Sequence, residues 1–137
     1  MSNTLFINEE INLQQFMDII SRYYSIKMRQ DVKFESELEV KYDSVSVYPE
    51  LNIYYVSYIR GEKIRTLLKY EELFEPLNNY AKRQGLELIN FEYNGGVRKM
   101  GLDEDTPYLN GVCLHMKECK LIKRLFRMWY YGRTFSN

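Results

Sequence analysis

Between residues 13 and 24 the apolar side chains recur every three or four positions: Leu13, Phe16, Met17, Ile20, Tyr23 and Tyr24. That spacing collects them on one face of an α-helix. Asn12 stands where a cap is needed, and Gln15 follows at the distance of a reciprocal capping box. Ile11 and Phe16 occupy the positions of a hydrophobic staple. The pattern predicts a helix over about residues 13–28.

The period then changes to two. Val32, Phe34, Leu38, Val40 and Tyr42 alternate with Lys33, Glu35, Glu37, Glu39 and Lys41, which predicts a strand with one wet face. Residues 50–70 read as a hairpin turning at Gly61-Glu62, with Ile59 opposite Ile64 and Val56 opposite Leu67. A second helix is expected over roughly 70–84, on a stripe of Leu73, Phe74, Leu77, Tyr80 and Ala81, stopped by Gly85. Pro76 inside it predicts a late start or a kink.

Residues 86–93 read as a strand, and Asn94-Gly95 as a hairpin turn into residues 97–100. Residues 101–110 read as an acidic loop, 111–118 as a last strand and 119–135 as a last helix. The expected order is α-β-β-β-α-β-β-β-α. This is an α+β single domain over 1–137, with a mostly antiparallel sheet and three helices packed on it.

Composition agrees with a folded globule: 45% of residues are hydrophobic and 28% charged, whereas a disordered chain is poorer in apolar groups. The 13 tyrosines suit packed strands, or a contact surface, since each has an apolar body and a polar tip. Formal net charge is zero, so no global field argues for nucleic acid or membrane. The charge is nevertheless segregated. From Lys117 onward there are six basic residues and one acid, net +5, which leaves −5 for residues 1–116.

On a helical wheel, Leu121, Ile122, Leu125, Phe126, Met128 and Trp129 share about half the circumference. Lys117, Lys120, Lys123, Arg124 and Arg127 gather on the opposite arc with Tyr131, and Arg133 follows. A solvated face explains such a stripe, and so does a contact surface for phosphate or an acidic protein. Glu35, Glu37 and Glu39 form a second constellation. They point the same way at intervals of about 6.8 Å along a strand, close to the spacing of phosphates on one nucleic-acid strand. A solvated strand face is the plainer explanation, with Lys33 and Lys41 at its ends.

Catalytic signals are sparse. Cys113, His115 and Cys119 lie close together, but their spacing matches no standard zinc pattern. Asp103, Glu104 and Asp105 run into Thr106-Pro107 rather than into a calcium loop. His115 has no nucleophile at a recognisable spacing, and no glycine loop cradles phosphate. Two cysteines make no disulfide framework, and no leader or apolar run of roughly 18 residues is visible. A cytosolic, reducing setting is therefore expected.

Two resemblances of order accompany these readings. The opening α-β-β-β-α-β order resembles restriction-type nucleases, and Glu39-Val40-Lys41 has their acid-x-lysine form. The third strand, however, lacks an acid to hold a metal. The first five elements resemble a double-stranded-RNA-binding domain, yet its second helix would open with Tyr70-Glu71-Glu72 where that family has lysines.

The expectation is a non-enzymatic protein without cofactor or bound metal that docks on another protein or nucleoprotein. An inhibitor or adaptor of the kind carried by viruses and mobile elements, in the style of anti-CRISPR or anti-restriction proteins, fits that description. The alternatives are a nucleic-acid-binding protein using the basic C-terminal helix and an unrecognised metal-dependent nuclease. No membrane partner is expected. Pairing of two copies, acidic strand face against basic helix, stays open.

Overall fold

The computed structural model of the chain describes residues 4–102 and 104–119. In chain order the elements are β1 (Phe6–Ile11), α1 (Leu13–Met28), β2 (Lys33–Tyr42), β3 (Val47–Ile59), β4 (Glu62–Leu67), α2 (Tyr70–Arg83), β5 (Leu86–Lys99) and β6 (Asp105–Glu118). The class is α+β, but the expected order is overturned. Among the described residues there are two helices and six antiparallel strands in two three-stranded sheets, ordered β1-β6-β5 and β2-β3-β4. The expected third helix, 119–135, lies outside the described residues except for Cys119.

α1 spans the expected residues and starts on the cap its sequence provides. The Asn12 side chain accepts from the Gln15 amide at 2.8 Å, and the Asn12 amide donates to Gln15 Oε1 at 2.9 Å. Two of the unpaired donors at the helix start are thereby satisfied. α2 contains Pro76 and begins at Tyr70 all the same, so no late start occurs. Lys69 caps α2 through its main chain, whose amide donates to Glu72 Oε1 at 3.1 Å.

Three corrections concern strands. β1 is an additional strand whose pairing with β6 aligns Phe6 with Lys117 and Ile11 with Val112. The hairpin turn between β3 and β4 is Arg60-Gly61, not Gly61-Glu62. Both residues have positive φ, 52° and 79°, as a two-residue turn matching the strand twist requires. Ile59 therefore pairs with Glu62, Ser57 with Ile64 and Val56 with Arg65.

The third correction is at Asn94-Gly95, which is no turn. β5 runs straight through it, with a register irregularity there, and pairs with β6 from Lys99↔Asp105 to Leu86↔Glu118. Gly95 is required by close approach: a Cβ there would lie 2.2 Å from the Tyr108 carbonyl oxygen. Residues 105–110 are consequently strand rather than acidic loop.

Both helices pack on the inward rows of the β1-β6-β5 sheet. Phe16, Ile20, Leu77 and Ala81 meet Leu88, Phe91, Val112, Leu114 and Met116, and Leu51 and Ile53 of β3 reach the same core. Each large apolar side chain contributes roughly 1.5–3 kcal/mol when fully buried. Aromatic contacts thread this core. Phe16 touches Phe91 and Tyr93, and Tyr70 stacks on Phe91 at 4.9 Å between ring centroids.

Candidate functional site

Register decides which side chains share the solvent face of the β2-β3-β4 sheet. Glu35 pairs with Tyr54 and Tyr54 with Leu67; Lys33 pairs with Val56 and Val56 with Arg65; Tyr58 pairs with Lys63. Leu51 and Ile53, of the opposite parity on β3, face the core. The outward face thus presents Lys33, Glu35, Glu37, Glu39 and Lys41 from β2, then Tyr48, Glu50, Asn52, Tyr54, Val56 and Tyr58 from β3, and Lys63, Arg65 and Leu67 from β4. Val56, though 5% exposed, stands outside the core cluster.

The three glutamates do share one face, as their period-two spacing implies, but they are not bare. Lys63 Nζ lies 2.5 Å from Glu35 Oε1, and Arg65 reaches Glu35 at 3.4 Å and Glu37 at 3.0 Å. Lys41 reaches Glu39 at 3.1 Å and Glu50 at 3.6 Å. The hydrogen bond from Lys63 holds the Glu35 carboxyl below its ordinary range. Likewise the Glu39 carboxylate raises Lys41, and Glu37 raises Arg65.

Four cations and four carboxylates occupy this face, so its net charge is zero. A row of glutamates imitating phosphates needs unneutralised charge; here the chain's own cations answer three of them. The tyrosines lie along the central strand. Tyr48 is 41% and Tyr58 63% exposed, and the Arg65 guanidinium sits 3.9 Å above the Tyr54 ring. Lys63, Arg65 and the tyrosine column escaped the sequence reading because each becomes a neighbour only through strand pairing. The one available signal was the even-numbered row from Tyr48 through Tyr54 to Tyr58, which shares one face of a strand.

Of the basic C-terminal constellation, only Lys117 falls within the described residues. It belongs to β6, not to a helix face: it lies on the outward row beside Phe6 and Glu87. Lys120, Lys123, Arg124, Arg127, Tyr131 and Arg133 lie outside them.

The outward face of the β1-β6-β5 sheet carries Cys113 and His115 together. His115 Nδ1 is 2.9 Å from Asn8 Oδ1, and Nε2 is 3.3 Å from Glu92 Oε2. Burial, then Glu10 and Glu92, push the Cys113 thiol up, which keeps it protonated and poorly nucleophilic. Among the described residues, no group of three or more His, Cys, Asp or Glu side chains is arranged to hold a metal ion. No helix among them is long and apolar enough to cross a membrane. Comparison with family models, with curated proteins and with solved structures finds no match to this chain.

Proposed function

We propose that the chain is a non-catalytic binding protein, an inhibitor or adaptor that docks on a protein or nucleoprotein partner through the solvent face of its β2-β3-β4 sheet. The observation carrying this reading is the tyrosine column Tyr48, Tyr54 and Tyr58, set between carboxylates and cations that cancel. Tyrosine and arginine are enriched among residues that dominate protein–protein binding energy. Tyrosine supplies large contact area at low entropic cost.

A neutral mosaic of both signs complements a protein surface, whereas a polyanion is bound by an excess of cations. β4 adds a second element of recognition. It is the sheet's edge, all six of its residues are exposed, and among the described residues its outer main-chain groups have no strand partner.

The test is quantitative capture from the native cell with the full chain and with a Tyr48→Ser/Tyr58→Ser variant of unchanged thermal midpoint. Binding is then repeated with the purified partner. The expected result is a protein partner whose affinity falls at least about 30-fold in the variant, the scale of losing one dominant contact residue. Equal binding by the variant, or capture of nucleic acid alone with a steep salt dependence, overturns the reading.

A further inference from the structure

α1 and α2 run antiparallel. Near the end of α1, Tyr23 and Lys27 reach Glu75 in the first half of α2. Gln15, from the start of α1, and Gln84, just past the end of α2, line the same groove. Between the helices is a groove of about 330 Å³, at the lower end of the range for small-molecule sites. Its apolar lining includes Ile11 and Pro76, both buried, and Ile19.

The polar groups of the groove are unevenly committed. The Tyr23 hydroxyl donates to Glu75 at 2.6 Å and the Tyr80 hydroxyl to Glu9 at 2.7 Å. Both tyrosines therefore offer rings rather than free hydroxyls. Asp18 accepts from Gln14 at 2.9 Å. Arg22 and Arg83 also line the groove, and among the described residues neither guanidinium has an ion pair or hydrogen bond. The half-buried Asn79 carboxamide is unpartnered in the same sense.

Two unanswered guanidiniums against one carboxylate leave the groove with net charge +1. An arginine fork matches a carboxylate geometrically, and the apolar lining matches a hydrocarbon or aromatic body. Asp18 disfavours a dianion by like-charge repulsion. We propose that this groove is a binding site for a small organic anion, an apolar body bearing a single carboxylate held by Arg22 and Arg83. The proposal is independent of the docking face, which lies on other elements.

Backbone amide spectra of the full chain, titrated with millimolar phenylacetate, test it. Phenylethanol supplies the same ring without the charge, and inorganic phosphate the charge without the ring. The expected result is a saturable shift confined to residues of the groove, with phenylacetate binding at least about tenfold tighter than either comparison ligand. Arg22→Gln and Arg83→Gln are each expected to weaken phenylacetate by about tenfold or more while leaving the thermal midpoint in place.

Equal binding of phenylethanol reduces the groove to an apolar cleft. Equal binding of phosphate reduces it to an adventitious ion site. Either result, the absence of a saturable shift, or indifference to both arginine substitutions overturns the proposal. The three-ligand comparison on the unaltered chain decides the matter without the variants.

Discussion

The Tyr24 hydroxyl donates a hydrogen bond to the main-chain carbonyl of Glu72. That carbonyl is the one left without a helical partner by Pro76, which stands four residues later and has no amide hydrogen. α1 therefore repairs a defect in α2, and the repair ties the two helices together. Tyr24→Phe is expected to cost about 1–2 kcal/mol, because it leaves a carbonyl short of a donor. In a Pro76→Ala background the new alanine's amide can supply that donor, and Tyr24→Phe is then expected to cost about 1 kcal/mol less. A double-mutant cycle by urea unfolding measures the difference. Additive effects would show that the two positions act separately.

The same helix interface predicts alkaline sensitivity. Burial first, then the Glu75 carboxylate, pushes Tyr23 and Tyr24 each to about 12, from an ordinary value of 10.0. A raised folded-state value means that the unfolded chain releases these protons first. Their stabilisation is therefore complete below pH 10 and is lost as pH rises toward 12. Unfolding followed across that window, with tyrosinate absorbance as the second probe, should show stability falling. Tyr23→Phe should make the fall shallower.

Arg60 holds φ at 52° in the β3–β4 turn, a conformation that costs a side chain such as arginine about 1 kcal/mol. Asparagine tolerates it far better and leads the preference for this turn when followed by glycine. Arg60→Asn is expected to raise stability by roughly 0.5–1 kcal/mol. A higher thermal midpoint with unchanged circular dichroism would bear this out; a lower one would mean that Arg60 makes a contact worth more than its strain.

Gly95→Ala tests the β5–β6 pairing. Its methyl group would meet the Tyr108 carbonyl, so the strands must part locally. A loss of about 1–3 kcal/mol is expected, with faster amide exchange in residues 94–97 and 107–111. If Asn94-Gly95 were the tip of a hairpin, alanine would instead disturb only the turn.

The parts of the fold legible in the sequence are those whose pattern is local. α1 carries its own cap and stripe, and β2 alternates with a single break at Ser36. β1 was hidden because its inward row, Ile7, Glu9 and Ile11, contains a carboxylate. Glu9 is tolerated there by accepting the Tyr80 hydroxyl from α2, a partner 71 residues away. The β5–β6 pairing was hidden because Asn94-Gly95 has the composition of a turn, while its glycine answers a steric demand made by Tyr108.

Pro107 has no amide hydrogen to give to a strand ladder. It is accommodated because β1 pairs with β6 only from Val112 onward, so the far side of β6 is an edge at that point. The docking face was half legible. Period two put the glutamates on one side, but nothing local announces that Lys63 and Arg65 lie within reach of them.

The pairing of Phe6 with Lys117 joins the beginning of the described chain to its end. β6 is the middle strand of its sheet, with β1 on one side and β5 on the other. During synthesis the first strand must therefore wait, its inner edge unsatisfied, until the residues of β6 have left the ribosome. Such long-range closure slows folding. The hairpins of the other sheet and the two helices can form before β6 is made, but the β1-β6-β5 sheet can be completed only after it.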